Sequence, residues 1–170
     1  MGEIYLYTGT GAGKTTNALG MALRSLGHAR KVIIVQFMKG RKDIGEVKIK
    51  EVCKLENYEI YQFGSKEFVN LKNPSEQDKM YAKKGLEFSK EMLEKKPELL
   101  VLDELNLVAG SKMIDEDEIV DFLKRAKKIC DVAITGRYAP FSLMCVADYV
   151  TLITPIKMPD EIRAKKGINY

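Results

Sequence analysis

The chain has 170 residues, of which 45% are hydrophobic, so it is long enough to bury a core and we expect one domain over residues 1–170. The formal net charge of +4 is too small and too scattered to indicate nucleic acid as the main partner, although it suits an anionic small ligand. The 3 cysteines form no Cys-x-x-Cys pair, which argues against a disulfide framework or a zinc site. Because no signal peptide and no stretch approaching ~18 apolar residues is visible, we expect a cytoplasmic protein without a membrane partner.

Strand and helix patterns alternate along the chain. Apolar or β-branched runs predict strands at Ile4–Tyr7, Lys31–Phe37, Tyr58–Phe63, Glu98–Leu105, Asp131–Thr135 and Tyr149–Thr154. Apolar residues at helical spacing predict helices between them, with one stop signal at Gly27 and capping boxes at Ser75–Asp78 and Asp115–Glu118. This alternation predicts an α/β fold in which a mostly parallel sheet carries helices on both faces and binds ligands outside the carboxyl ends of its strands.

The turn between the first strand and the first helix reads YTGTGAGKTTNALG, over residues 7–20. Glycines free the backbone to aim several N–H groups at one anion, and the helix N-terminus adds its dipole. Lys14 supplies a positive charge for phosphate oxygens, and Thr15 supplies a hydroxyl ligand for Mg²⁺. The usual phosphate loop has Gly where this chain has Thr8. Two other interpretations are open: a dinucleotide-binding turn, whose Gly-x-Gly-x-x-Gly spacing differs, and a helix start that merely contains glycines.

An acidic pair ends the fourth predicted strand. Asp103 and Glu104 follow the apolar run LLVL, where a carboxylate can hold a phosphate-bound Mg²⁺ directly or through water. Because consecutive residues of a strand point to opposite faces, we expect one carboxylate at the metal and the other in a supporting role. A solvated strand end is the alternative interpretation.

Other polar residues follow other strands. Arg137, in TGRYAP, could hold a triphosphate or stabilise leaving-group charge, and the alternative is an ordinary surface turn. Gln36 and Lys39, in QFMKG, could reach a ligand or lie in an exposed turn. His28 is the only histidine and falls at the predicted exit of the first helix, so the chain offers no evident imidazole base.

Set in order, these segments resemble the ATP:corrinoid adenosyltransferases, the enzymes that adenosylate cob(I)alamin and its precursors. The matching segments run from the first strand to the last residue: YTGTGAGKTTNALGMALRSLGH, VIIVQFMKG, the pair Gly45-Glu46, LLVLDELN, TGRYAP, VADYVT and AKKGINY. The family's loop also carries Thr at the position of Thr8 and Gly at that of Gly9. This set is much more specific than the phosphate loop alone.

The resemblance implies a RecA-like P-loop fold and a homodimer. It implies ATP and cob(I)alamin or a corrinoid precursor as substrates, and an electron-donor protein as a further partner. Co(I) would attack the ribose 5′ carbon of ATP, and inorganic triphosphate would leave. The family's loop wraps the triphosphate in the direction opposite to that of ordinary P-loop NTPases.

The resemblance also implies roles for individual residues. Lys14 and Arg137 would be catalytic, because they face the charge that develops on the leaving triphosphate. Mg²⁺ would be held by residues among Thr15, Glu104 and Asp103. The substrate-binding residues would be Gly9, Thr10, Gly11, Ala12, Gly13, Lys14, Thr15, Thr16, Phe68 and Arg137.

The chain departs from the family pattern at several positions. Thr10 stands where the family usually has Asn, and Ala12 stands where it has Lys, which removes one phosphate contact. Phe68 matches a Phe that helps to remove the lower ligand of the corrinoid, but Asn70 stands near the position of the family's Trp, and Met158 stands where a His is frequent. An ordinary P-loop kinase or NTPase and a non-catalytic nucleotide- or corrinoid-binding module are the alternative functions.

Overall fold

The computed structural model describes residues 1–67, 69–161 and 163–168. Its strands and helices, in chain order, are β1 (Ile4–Thr8), α1 (Lys14–Gly27), β2 (Val32–Phe37), α2 (Gly45–Val52), β3 (Tyr58–Phe63), α3 (Glu76–Met92), β4 (Leu99–Asp103), α4 (Leu105–Gly110), α5 (Glu116–Ala126), β5 (Asp131–Thr135), α6 (Phe141–Val146) and β6 (Tyr149–Leu152). A short 3-10 turn at Leu93–Lys95 joins α3 to β4.

The strands form one parallel sheet in the order β3-β2-β4-β5-β1-β6. This order inserts β5 between the strand that leads into the Gly-rich loop and the strand that ends in Asp103. Because the strands all point the same way, the loops that follow them meet at one edge of the sheet. The predicted strands and the predicted parallel α/β fold are confirmed, and the arrangement is that of a RecA-like P-loop fold.

Helices cover both faces of the sheet, as predicted. On one face, Ala18 and Ala22 of α1 are buried against Ile34 and Val101, and their small side chains bring the helix close to the strands. On the other face, α3, α4, α5 and α6 enclose the larger apolar core. The longest described helix, α3, has 17 residues, and none of the described helices is both long enough and apolar enough to cross a bilayer.

The fourth strand ends earlier than the sequence predicts. β4 stops at Asp103, and Glu104 has a left-handed backbone, with a φ of 66°, from which α4 begins. The prediction that strand geometry sends the two carboxylates to opposite faces is therefore wrong, because Glu104 is not in the strand. The turn leaves both residues at the carboxyl edge of the sheet.

The capping predictions have different outcomes. The Ser75–Asp78 box at the start of α3 is confirmed by reciprocal hydrogen bonds, from Asp78 N to Ser75 Oγ (3.1 Å) and from Ser75 N to Asp78 Oδ2 (3.0 Å). Asp115 does cap α5, but it accepts from Asp117 N (2.9 Å). Glu118 pairs with Lys90 (2.9 Å) instead, so the second capping box is wrong.

Two helical glycines should respond in opposite directions to alanine. A Cβ at Gly85, in α3, would lie 2.8 Å from Cε1 of the fully buried Phe37. We therefore expect Gly85→Ala to lower the free energy of unfolding: overpacking costs about 1–3 kcal/mol, and the helix propensity of alanine returns ~1 kcal/mol of that. A Cβ at Gly20, in α1, would meet nothing within 4 Å, so Gly20→Ala should stabilise by roughly 0.5–1 kcal/mol. Urea unfolding of both variants checks the pair, and equal effects would contradict it.

Candidate functional site

The Gly-rich loop leaves the carboxyl end of β1 and is held by the chain that follows β6. Gly9 and Gly13 have φ values of 110° and 109°, a conformation that glycine adopts without strain. Gly11 N donates to Ile153 O (2.9 Å), and a Cβ at Gly9 would collide with the Ile153 carbonyl group. The glycines therefore serve close packing as well as the presentation of N–H groups.

Thr8, the residue that differs from the usual phosphate loop, is buried at the end of β1. Its backbone carbonyl accepts from Ile153 N (2.8 Å), and its Oγ1 accepts from Ala139 N (3.4 Å) in the segment after β5. The hydroxyl thus joins the Gly-rich loop to the loop that carries Arg137. A glycine at this position would lose that connection.

Lys14 begins α1, and its side chain turns back into the loop. Its Nζ donates to Gly11 O (2.6 Å), and the residue is only 8% exposed. Burial lowers the pKa of Lys14, and the nearby charge of Arg137 lowers it further. A bound anion would relieve both effects, and a phosphate oxygen can replace the carbonyl as the acceptor.

Asp103 is buried beneath the loop with both carboxylate oxygens hydrogen bonded. The hydroxyls of Thr15 and Thr135 donate to Oδ1 (2.8 and 2.6 Å), whereas Lys39 Nζ and Gln36 Nε2 donate to Oδ2 (2.6 and 3.0 Å). Burial alone would raise the pKa of Asp103, but the Lys39 charge and these hydrogen bonds hold it below its usual value. Asp103 is therefore an ionised acceptor that orients the Thr15 hydroxyl.

Glu104 is also largely buried, but among the described residues its carboxylate lacks the full set of hydrogen bonds that Asp103 has. Its backbone N–H donates to Thr135 Oγ1 (3.1 Å), but its Oε2 is buried with no hydrogen-bond partner in the described part of the chain. Burial raises the pKa of Glu104, and the neighbouring Asp103 charge raises it further. A buried polar atom without a partner costs about 1–3 kcal/mol, which a cationic ligand at this oxygen would offset.

The residues here fit a bound Mg²⁺. Thr15 donates its proton to Asp103, so the lone pairs of its hydroxyl oxygen are available to a cation, and Glu104 offers the unpartnered carboxylate oxygen. Across residues 1–67, 69–161 and 163–168, no cluster of three or more His, Cys, Asp or Glu forms a complete metal site. A Mg²⁺ here would complete its coordination with water and phosphate oxygens, as this ion commonly does.

The other predicted residues lie at the mouth of the loop, except for one that lies outside the described residues. Arg137 is exposed in the turn after β5, and its charge acts on both Lys14 and Glu104. Thr10, Ala12 and Thr16 are also exposed. Phe68, the predicted corrinoid contact, lies outside the described residues.

Two polar residues that hold the site together were missed in the sequence. Thr135 bridges the two members of the acidic pair. Asn106 is fully buried in α4, and its Nδ2 donates to Tyr7 O (3.0 Å) and Gly136 O (3.3 Å), which joins the end of β1 to the turn after β5. Their positions in the sequence could have identified them, because Thr135 ends a predicted strand and Asn106 closely follows the acidic pair.

A cleft adjoins this site at the ends of β2 and β3. Segments 38–44 and 65–67, together with Glu46, enclose about 950 Å³. Lys39 lines the cleft and pairs with Asp103, and the fully buried Gln36 donates both to Asp103 and to Glu46 Oε1 (3.2 Å). The two residues of QFMKG that the sequence left undecided therefore contact the acidic strand end.

Comparison with known proteins gives a consistent result. The sequence profile of the family described as ATP:corrinoid adenosyltransferase BtuR/CobO/CobP matches residues 1–170. The chain is 34% identical over 173 aligned positions to a Sinorhizobium sp protein named corrinoid adenosyltransferase, covering 99% of this chain and 80% of that protein. It is 31% identical over 172 positions to the corrinoid adenosyltransferase of Escherichia coli K12 and to corrinoid adenosyltransferase CobA of Salmonella typhimurium LT2, covering 99% of this chain and 86% of each relative.

We expect Glu104→Gln to stabilise the ligand-free protein by about 1 kcal/mol at neutral pH, because it removes a buried charge whose Oε2 lacks a partner among the described residues. The pKa of Glu104 is raised on folding, so the native protein binds more protons at this group than the unfolded chain does. Its stability therefore falls as the pH rises from about 4.3, the unfolded value, through the folded pKa.

Urea unfolding of the two proteins between about pH 4 and pH 8 measures this difference, which should disappear at the acidic end. Glu91→Gln, on an exposed position of α3, is the matched control and should leave the pH profile unchanged. A Glu104→Gln variant no more stable than the native protein at neutral pH would contradict the expectation.

Proposed function

The chain belongs to the ATP:corrinoid adenosyltransferase family, and we propose that it transfers the 5′-deoxyadenosyl group of ATP to the Co(I) of a corrinoid through the Gly-rich loop, the acidic pair and the cleft described above. This reaction releases triphosphate and belongs to adenosylcobalamin biosynthesis or salvage. The observation that supports the placement of the site is the unpartnered, buried Glu104 oxygen beside the charges of Lys14 and Arg137, within the described residues.

The chemistry needs charge stabilisation more than proton transfer. The cobalt electron pair forms the Co–C bond, the C5′–O bond of ATP breaks, and its electron pair leaves on a triphosphate oxygen. No proton is removed in this step, so a general base is not required, and the single histidine, His28, lies exposed at the end of α1. The barrier is lowered by groups that stabilise the anionic leaving group.

Lys14 and Arg137 are the cations proposed for that work. Lys14 Nζ would exchange its bond to Gly11 O for one to a triphosphate oxygen, without a change in its location. Arg137, exposed at the mouth of the loop, would add a second cation. The proposed triphosphate cradle is completed by the loop residues Gly9, Thr10, Gly11, Ala12, Gly13, Thr15 and Thr16, chiefly through backbone N–H groups other than that of Gly11, which donates to Ile153 O.

Mg²⁺ is the proposed metal partner of the triphosphate. Thr15 and Glu104 would hold it, and it would supply further neutralisation of the leaving group when bound. Asp103 is better suited to hold Thr15 in place, because both of its carboxylate oxygens are already hydrogen bonded. Thr15 would thus be a metal ligand, and Asp103 would hold the Thr15 hydroxyl in position.

The position of the cleft supports a particular direction for the nucleotide. The cleft lies at the ends of β2 and β3, and the phosphate loop follows β1, so β4 and its acidic pair stand between them. The ribose must reach the cleft if the cleft holds the corrinoid, which puts the α-phosphate on the acidic side and the γ-phosphate on the far side. At about 950 Å³, the cleft is at the upper end of the size range of small-molecule sites.

Several further features are proposed from family membership. A cytoplasmic electron-donor protein would supply the electron that generates Co(I), and the 170 residues would act as one domain. A homodimer is supported by the sheet edge at β6, where the strand Tyr149–Leu152 is exposed throughout and Leu152 is 69% exposed.

Lys14→Ala should lower the rate of adenosyl transfer by about 100-fold or more, the scale seen when a preorganised charge-stabilising group is removed. The assay supplies ATP, Mg²⁺ and chemically reduced cobalamin, and it measures both the Co–C product by its absorption spectrum and inorganic triphosphate. Lys124→Ala, on the exposed face of α5, should retain native turnover and provides the matched control.

The products also separate the proposal from its alternatives. Native protein that forms orthophosphate in place of triphosphate would indicate an ordinary P-loop kinase or NTPase. Binding of ATP or corrinoid without turnover would indicate a non-catalytic module. Unchanged turnover in a folded Lys14→Ala protein would remove Lys14 from the mechanism.

Ala12→Lys should lower the KM for ATP by about 3–10-fold, which corresponds to roughly 0.7–1.4 kcal/mol. Ala12 is exposed on the loop and lines a groove beside Ile153, so there is room for a longer side chain whose ammonium would approach the triphosphate. Ala12→Gln, which has length without charge, is the control and should leave KM near the native value. A KM that is unchanged in both variants would show that this position does not face the triphosphate.

A further inference from the structure

We propose that Lys39 is a positioning residue that couples the corrinoid cleft to the triphosphate site; the inference rests on the function proposed above. Lys39 is placed where the two regions meet. Lys39 lines the cleft, and its side chain reaches the acidic strand end. No contact of Lys39 with the reacting atoms is required, since it acts through Asp103.

On the nucleotide side, the coupling is a short chain of hydrogen bonds. Lys39 Nζ donates to Asp103 Oδ2 (2.6 Å), and Asp103 Oδ1 accepts from the Thr15 hydroxyl (2.8 Å). Asp103 is fully buried and held on both oxygens, so it transmits displacement rather than absorbing it. Any ligand that fixes Thr15 therefore also restricts the Lys39 ammonium.

On the cleft side, the backbone around Lys39 packs directly against the opposite loop. A Cβ at Gly64 would lie 2.5 Å from Lys39 N, and a Cβ at Gly40 would lie 2.7 Å from Gly64 O. Met38 has a positive φ of 53°, which is unfavourable for residues other than glycine. Such a backbone conformation persists only where the surrounding structure holds the residue in place. The segments 38–44 and 65–67 are thus joined at the point where Lys39 is anchored.

Gln36 is the more deeply buried of the two β2-side donors to Asp103. It lies inside β2, fully buried, and its amide group contacts Asp103, Glu46 and Gln62. Lys39 lies beyond the end of β2, and its side chain is 28% exposed on a flexible stem. Lys39 is therefore the member of the array that can respond to a ligand.

The consequence is a favourable interaction between the two substrates. Triphosphate and Mg²⁺ at the loop would fix Thr15, and through Asp103 and Lys39 they would order the cleft wall before the corrinoid arrives. Binding of the corrinoid would then cost the protein less conformational entropy, so the affinity for the corrinoid would increase. The same constraint would set the distance between cobalt and the 5′ carbon, to which transfer rates are very sensitive.

The test compares corrinoid affinity with and without MgATP. Hydroxocobalamin is the probe, because its Co(III) has no electron pair with which to attack ATP, and its dissociation constant is followed by absorbance. In native protein, MgATP should lower this constant by about 5-fold or more, the usual lower range of coupling between sites. In Lys39→Met, the ratio of the hydroxocobalamin dissociation constants without and with MgATP should fall to about 1, while each ligand still binds alone.

Turnover provides a second readout. Lys39→Met should lower kcat by about 10-fold or more. Because coupling between two sites is reciprocal, it should also raise the KM for ATP at saturating corrinoid by about 5-fold, whereas the dissociation constant of MgATP without corrinoid should change less than about 2-fold. Lys39→Arg keeps the charge and the donor and should recover most of the coupling ratio and of kcat. Lys48→Met removes an exposed lysine of α2 and should keep the native ratio.

Several outcomes would overturn the proposal. The first is a ratio of dissociation constants of 1 in the native protein, and the second is a native-like ratio in folded Lys39→Met. The third is a variant that binds both ligands equally more weakly and keeps the ratio, which would indicate a purely structural role. If Lys39→Met does not fold, Lys39→Gln takes its place, since its amide group still donates to Asp103 but carries no charge; it should also lower the ratio. Failure of native protein to release triphosphate would overturn the proposed function, whereas normal turnover with an unchanged ratio overturns only this inference.

Discussion

The buried carboxylate of Asp103 is the constraint on which the site depends. An ionised carboxylate removed from water is costly unless it is paired and fully hydrogen bonded, so each donor must be brought to it by the fold. The donors come from the start of α1, from β2, from the loop after β2 and from the end of β5: Thr15, Gln36, Lys39 and Thr135. Satisfying one charge therefore fixes the relative positions of most of the strand ends at the carboxyl edge, including that of the phosphate loop.

The neighbouring Glu104 shows what that constraint leaves available for function. Both carboxylates are largely buried, yet the pKa of Asp103 is held below its usual value by Lys39 and its hydrogen bonds, whereas burial raises the pKa of Glu104. Neighbouring acids with opposite shifts usually have different tasks. Asp103 maintains the geometry, and Glu104 keeps an oxygen without a partner in the described residues, at a cost to the stability of the ligand-free protein. Such a cost is characteristic of a ligand site.

The sequence predicts the strands and the Gly-rich loop between β1 and α1 because β-branched runs, glycines and Lys14 are local signals. It does not predict the turn at Glu104, since the apolar pattern of β4 continues to Leu105, nor the helices α2, α4 and α6, which are too short to establish a period. The roles of Gln36 and Lys39 could not be decided either, because their contact with Asp103 depends on β2 lying beside β4. Strand order is a property of the whole fold, and no local pattern states it.

That strand order also explains how parts common to P-loop NTPases can serve a different reaction. β4 lies between the loop-bearing side of the sheet and the side with the cleft, so a nucleotide that reaches both must cross the acidic pair. In the proposed orientation, the C5′–O bond would lie on the side of Glu104, and the terminal phosphate would lie away from it. The groups that would promote phosphoryl transfer then stabilise triphosphate as a whole leaving group. Selectivity for adenosyl transfer over hydrolysis would thus follow from direction of binding, with no change in the kinds of residue in the loop.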